Sequence, residues 1–263
     1  MRVATWNINS VRLRIDRIAE FAKTSKPDVI CLQETKVMDD LFPADAVREM
    51  GFEHIAFSGQ KSYNGVAILS RLPLKDVKRE EWCGKSDCRH IAATLLGGIE
   101  IHNFYVPAGG DVPDREQNEK FGHKLDFLDE MMAWFLENRS AQKKMILVGD
   151  LNIAPLETDV WSHKQLLKVV SHTPIEIEKL GQVQESVKWI DAVRHFIPES
   201  ERLYSWWSYR GRDWSASDRG RRLDHVWVTP PLQKALSGAS VLREARGGEK
   251  PSDHVPVMVD LDL

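Results

Sequence analysis

The chain lacks any apolar stretch approaching the length of a membrane span, which argues against an α-helical membrane protein. It also lacks an apolar leader, since MRVATWNINS runs straight into a strand-like segment. The expectation is a cytoplasmic protein without a signal peptide. Cysteine is scarce and odd in number: Cys31, Cys83 and Cys88 fit a reducing compartment and exclude a disulfide framework. Cys83 and Cys88 with His90 have neither zinc-finger spacing nor a fourth ligand, so they read as structural. Low-complexity tracts, linkers and short repeats are absent, so residues 1–263 are expected to form one domain. A strong positive charge is missing too. The net charge of −3 carries no general signature of a nucleic-acid partner. Charge is uneven, however: residues 209–222, YRGRDWSASDRGRR, hold five arginines against two aspartates.

What is present is a succession of short apolar, β-branched runs. Strands are expected over 2–8, 28–33, 65–70, 91–96, 99–106, 145–149, 224–229 and 255–261. In the last, Val255, Val257, Val259 and Leu261 alternate with more polar neighbours, as on a sheet with one buried face. Helices are expected over 12–24, ended by Pro27, and over 115–138. There Phe121, Leu125, Leu128, Met132 and Phe135 repeat at helical spacing. Strands with helices between them over such a span predict an α/β fold of two mixed sheets packed face to face, with helices outside.

Several polar residues stand where these strands end: Glu34 after VICLQ, Asp150 and Asn152 in ILVGDLN, Asp224 in RRLDHVWV, and Asp253 with His254 in PSDHVPV. Carboxylates are hard oxygen ligands, and several in one cleft would hold Mg²⁺ or Mn²⁺. Beside a carboxylate–histidine pair, such an ion suits phosphate-ester hydrolysis. Asn7 and Asn9 occupy alternate positions of the first strand, a placement suited to supporting a metal-binding carboxylate. Asp224 is a candidate to orient the His254 imidazole. Trp206, Trp207 and Trp214 interleave with the arginines of 209–222, which suits stacking on bases or sugars with phosphate contacts. Taken singly, GDLN also fits an Asx turn, SDH a surface turn and the arginine stretch a solvated loop.

The order of the motifs is more specific. TWNINSVR, ICLQETK, SYNGVAILS, HNFYVP, VGDLN, YSWWSYR, RGRRLDHVWV and SDHVPV resemble, in that order and along the whole chain, the exonuclease III family of apurinic/apyrimidinic endonucleases. That family sits within a group of metal-dependent phosphoesterases including DNase I. The resemblance implies a four-layered α/β sandwich of the DNase I type. It implies that Glu34 ligates the metal, Mg²⁺ or Mn²⁺, with Asn7 and Asp253 in support. Asp150 would activate the attacking water with help from Asn152, the rival base being the Asp224–His254 pair. His254, oriented by Asp224, and Tyr105 would stand at the phosphate. Trp206 and Leu223 would line an abasic-sugar pocket, with Arg210 and Arg221 at the DNA rim.

The activity implied is incision of duplex DNA 5′ to abasic sites, with 3′–5′ exonuclease and 3′-phosphodiesterase action, by a monomer with no membrane partner. A phosphoesterase of lipid or inositol phosphates is the first alternative, opposed by the Arg/Trp-rich block. A non-enzymatic RNA-binding relative is the second, opposed by the complete set of site residues. The chain departs from its resemblance around the pocket. Ala108 with Gly109 and Gly110 follows the tyrosine motif where an asparagine is common, Asp218 stands in place of asparagine, and Arg221 in place of an aromatic.

Overall fold

Alternation of apolar residues along the strands builds two six-stranded mixed sheets in the computed structural model, which describes residues 1–211 and 213–263. Arg212, one of the arginines of 209–222, lies outside the described residues. In the first sheet the strands run in the order Leu236–Val241, Val257–Leu261, Arg2–Asn7, Val29–Gln33, Val66–Ser70, His54–Ser58. In the second the order is Lys75–Lys78, His90–Leu95, Ile99–Tyr105, Met145–Asp150, Asp224–Val228, Ile190–Asp191. Each sheet contains one parallel pair, Arg2–Asn7 with Val29–Gln33 and Ile99–Tyr105 with Met145–Asp150; the other pairs are antiparallel.

Between the sheets lies a core of Val3, Val29, Ile68, Ile101, Val148 and Val226 with their neighbours. The opposite face of the first sheet (Ala4, Trp6, Ile30, Leu32) packs on the helix Ile15–Ser25 through Ile18 and Phe21. The opposite face of the second (Phe104, Leu147, Trp227) packs on the helices Glu119–Asn138 and Pro174–Ser186 through Phe127, Met131, Phe135 and Leu180. Helix, sheet, sheet and helix make the four layers expected from the sequence. No helix among the described residues is long and apolar enough to cross a membrane.

Differences from the expected elements have local causes. The long helix begins at Glu119, not 115, because the Asn118 side chain caps it by accepting the Lys120 N–H. The last strand begins at Val257, since Pro256 has no N–H to donate. The helix Pro174–Ser186 was not expected, although it opens on a capping box. The Glu176 carboxylate accepts both the N–H and the hydroxyl of Thr173, with proline at the first turn. The edge strands His54–Ser58, Lys75–Lys78 and Leu236–Val241 also escaped the pattern. Being edges, they lack its clean alternation; Lys75–Lys78 is exposed throughout.

Candidate active site

Side chains that point between the sheets change character along each strand. Val3, Thr5 and Asn7 succeed one another on the first strand. Val29, Cys31 and Gln33 do so on the second, as do Ile101, Asn103 and Tyr105, then Ile146, Val148 and Asp150. Val228, Val226 and Asp224 do the same in reverse. Apolar at one end, these stripes become polar at a single rim of the sandwich. Gln33 is the hinge of the intermediate layer, donating to Thr5 Oγ1 at 2.9 Å and Asn103 Oδ1 at 2.7 Å. The outermost layer is the site. Strand register sets Tyr105 beside Asp150 and Asp150 opposite Asp224, so three functional groups form one row across the second sheet.

The strands end abruptly at this rim. Asn9, Glu34 and Asn152 adopt left-handed conformations with φ of 47°, 51° and 54°. Gly149 sits at φ 146°, and a Cβ there would lie 1.9 Å from the Phe104 carbonyl oxygen, so only glycine can precede Asp150. The GDLN segment is also an Asx turn: Asp150 Oδ1 accepts the Asn152 N–H at 3.0 Å. The turn read from the motif is therefore present, and it leaves Asp150 Oδ2 facing the rim. Asn152 does not continue the strand face. Its amide donates to Val106 O at 2.9 Å, and its side-chain oxygen meets no protein donor among the described residues.

The carboxylates are tied together across the two sheets. Asn7 Nδ2 donates to Glu34 Oε1 and to Asp150 Oδ2, both at 2.9 Å. The Tyr105 hydroxyl donates to the same Glu34 oxygen at 2.8 Å. Lys36 Nζ stands 2.7 Å from Glu34 Oε2 and 2.7 Å from Asn9 Oδ1. Asp253 receives Asn9 Nδ2 on one oxygen and Trp206 Nε1 on the other, each at 3.0 Å. His254 Nδ1 donates to Asp224 Oδ2 at 2.8 Å, and Ser205 Oγ donates to the same atom at 2.6 Å. This turns His254 Nε2 toward Asp150 Oδ2, 3.6 Å away. Trp6 Nε1 fixes the histidine from behind through its carbonyl oxygen, at 3.0 Å.

These contacts determine protonation. Burial alone would lower the His254 pKa, but the Asp224 and Asp150 carboxylates outweigh it and raise it, so the imidazolium is favoured. Burial raises the Asp150 pKa, with His254 opposing and Asp224 and Glu34 reinforcing. Glu34 is pushed up by burial yet held below the usual carboxylate range by Lys36 and the Asn7 amide. Asp253 is likewise held low against burial, by His254, Asn9 and Trp206. Burial, with Glu34 and Asp150 nearby, drives the Tyr105 phenol well above its ordinary value, so it is a neutral donor.

The donor set suits a hard divalent cation. Carboxylate oxygens of Asp150 and Asp224 lie within 4.8 Å of each other, whereas the neighbouring His254 imidazolium has no lone pair to give a cation. Asp224 Oδ1 is buried with no hydrogen-bond partner among the described residues, and Glu34, Asp150 and Asp253 border one cavity together with His254. Asn7 and Asn9 spend their amides on carboxylates, a supporting role.

The cavity is about 240 Å³ and is walled by Tyr105, Ala108, Val170, Trp206, Leu223 and Arg221 beside the polar groups. Arg210 is not on this wall. It lines an adjoining cavity of about 440 Å³ with Trp161, Trp206, Arg219 and Arg221. Asp218 faces away from both, accepting from Trp207 Nε1 at 2.9 Å and Arg243 at 2.8 Å.

Sequence reasoning missed three contributors. Lys36 pairs with Glu34 from two residues on, as the LQETK motif places it. Ser205 holds Asp224 from a loop that carries no periodic signal. Lys124 is fully buried and donates to Asn152 O at 2.8 Å and Glu176 Oε1 at 2.5 Å. A lysine between Phe121, Leu125 and Leu128 on the apolar stripe was the available signal.

Comparison with known proteins places this geometry in context. Residues 4–254 match the model of the endonuclease/exonuclease/phosphatase family. The exodeoxyribonuclease III of Haemophilus influenzae is 28% identical, with 99% of each chain aligned. A solved AP endonuclease from Archaeoglobus fulgidus superposes with a TM-score of 0.93 at 32% identity, covering 100% of both chains. A Neisseria 3′ phosphatase bound to a product DNA hairpin does so with 0.91 at 31% identity, again over 100% of both.

Proposed function

Because the chain belongs to the endonuclease/exonuclease/phosphatase family, and resembles exodeoxyribonuclease III and AP endonucleases over its whole length, we propose that it is a metal-dependent DNA-repair phosphodiesterase. It incises duplex DNA 5′ to abasic sites and removes nucleotides or blocking groups from 3′ ends, as a monomeric, cytoplasmic, one-domain enzyme. The observation that carries this reading is the convergence of Glu34, Asp150 and His254, the last held from behind by Asp224, on one cavity walled by Trp206 and Leu223.

Glu34, with Asp253 in support, would hold Mg²⁺ or Mn²⁺. When bound, the ion supplies Lewis-acid polarisation of the phosphate and offsets the charge growing there. Asp150 Oδ2 accepts the proton of the attacking water, and burial makes this carboxylate a stronger base than a solvated one. The free side-chain oxygen of Asn152 accepts the water's other hydrogen and so aims its lone pair. His254 Nε2, held cationic by Asp224, donates to a phosphoryl oxygen, and the neutral Tyr105 phenol stands as a second donor. Trp206 and Leu223 enclose the sugar that has no base to stack, whose extrusion from the duplex costs little. The test is a duplex with one tetrahydrofuran abasic analogue, incubated with Mg²⁺ or with EDTA. A metal-dependent nick immediately 5′ to the analogue is expected; its absence refutes the reading.

A further inference from the structure

Two consecutive arginines, Arg221 and Arg222, meet opposite fates. Arg222 is fully paired: Nε and Nη2 bond Asp159 at 2.8 and 2.9 Å, and Nη1 bonds Asp191 at 2.5 Å. Arg221 has only neutral partners. Its Nη1 donates to Val170 O at 2.9 Å and Ser171 Oγ at 2.7 Å, and its Nε is buried with no partner among the described residues. Among the described residues no carboxylate forms an ion pair with it. The acid that stabilises it from a distance, Glu176, is spent on Lys124 and on the start of its own helix. Its guanidinium carbon lies 5.3 Å from the centre of the Trp206 ring. The same side chain borders both the catalytic cavity and the larger cavity carrying Arg210 and Arg219.

A part-buried cation without a counter-charge is costly, and that cost is offset when an anion enters. Val170, Trp206 and Leu223 give the cavity apolar walls, and the lower dielectric beside them strengthens such a pairing. The position is specific as well. Arg221 lines the same cavity as Glu34, Asp150, Asp253 and His254, so an anion paired with it would lie beside the phosphate, on the substituent that stays on phosphorus once the upstream 3′ oxygen has left.

We infer that Arg221 is a specificity residue for an anionic group on that substituent, so the enzyme favours 3′ ends blocked by a charged fragment over those blocked by a neutral fragment of the same size. This rests on the proposed phosphodiesterase function. The step is an ordinary hydrolysis. Water adds to phosphorus and gives one proton to Asp150, the bond from phosphorus to the 3′ oxygen breaks, and that oxygen takes a proton from solvent to become a 3′-hydroxyl, while Asp150 returns its proton to solvent. The fragment departs still esterified to phosphate.

Two duplexes test it, one ending in a 3′-phosphoglycolate and one in a 3′-(2-hydroxyethyl) phosphate. They are near-isosteric and differ in the terminal carboxylate. For the wild type, kcat/KM is expected to favour the glycolate by about 10- to 100-fold, the worth of one charge-assisted hydrogen bond. Arg221→Gln should bring the ratio close to one, and Arg221→Lys should retain part of it. Thermal melts of both variants check folding, and the wild-type ratio alone decides the matter if Arg221→Gln does not fold. Equal rates of the wild type on the two ends, or an unchanged ratio in a folded Arg221→Gln, overturn the inference while leaving the enzyme's function intact. Cleavage of neither end overturns the function and the inference with it.

Discussion

Asn7 of one sheet donates a 2.9 Å hydrogen bond to Asp150 of the other. The same amide nitrogen reaches Glu34, so one side chain sets the spacing between the proposed metal ligand and the proposed base.

Asn7→Ala should therefore loosen both carboxylates without removing either. The expected outcome is a loss of about 10- to 100-fold in activity or metal affinity, as for other groups that support metal ligands. A Mg²⁺ titration of the nicking rate checks it: the half-saturating concentration should rise, and an unchanged titration with an unchanged rate would deny Asn7 this role.

Asp150→Asn removes the proton acceptor while keeping shape, and DNA affinity should survive it. Cleavage should fall by at least about 10²–10⁴-fold, the usual worth of general-base catalysis. Asp224→Asn should also be severe, because His254 loses the acceptor that fixes its ring and favours its charge. Single-turnover cleavage beside a gel-shift measurement separates chemistry from binding. Full cleavage by Asp150→Asn would pass the role of base to the Asp224–His254 pair.

Lys124 and Glu176 form a buried ion pair beneath the catalytic loop, with Lys124 also holding the carbonyl oxygen of Asn152. Lys124→Met strands a buried carboxylate and should cost about 3–5 kcal/mol of stability. The double variant Lys124→Met/Glu176→Gln should recover part of that loss. Urea unfolding of the three proteins measures it, and an unaffected single variant would contradict the account.

His225 is a buried neutral imidazole, its Nε2 at 2.8 Å from Ile153 O and its Nδ1 unpartnered. Burial foremost, with Arg222 adding to it, lowers its pKa from the ordinary 6.5 to about 4. Below pH 6.5 the unfolded chain takes up a proton that the folded one refuses, so stability is lost as pH falls from 6.5 toward 4. By pH 5 the loss from this residue is about 2 kcal/mol. Urea unfolding at pH 7.5 and 5 should show His225→Gln losing less over the same interval than the wild type.

The sandwich was legible in the sequence because its inward stripes are continuous: the eight strands read from β-branched alternation are all present. What escaped was structure whose cause lies elsewhere in the chain. The edge strand Lys75–Lys78 pairs without burying a face, and Ser205 reaches Asp224 only through tertiary contact. The site was legible in part for the same reason. Asp150 and Tyr105 continue stripes that a reader can count, whereas the placement of Arg221 on the cavity wall depends on Val170 and Ser171, about fifty residues earlier. Asn152 leaves the strand face that Asp150 ends, because the chain turns at Asn152 itself, at φ 54°.

The outward progression of each stripe from a β-branched residue to a polar one has an evolutionary consequence. The polar side chains of the candidate site occupy the last inward positions of their strands, as Asn7, Tyr105, Asp150 and Asp224 do, or the loops just beyond them, as Glu34, Asn152 and His254 do, while the residues that hold the sheets together lie deeper. Exchanging those terminal residues would leave the interior almost untouched. A descendant could lose its chemistry by a handful of substitutions and persist as a folded, DNA-shaped scaffold. Deletion of one residue within Met145–Asp150 would instead exchange the face that packs on the other sheet, Ile146 and Val148, with the face that packs on the helices and move Asp150 out of its row, so scaffold and site would fail together.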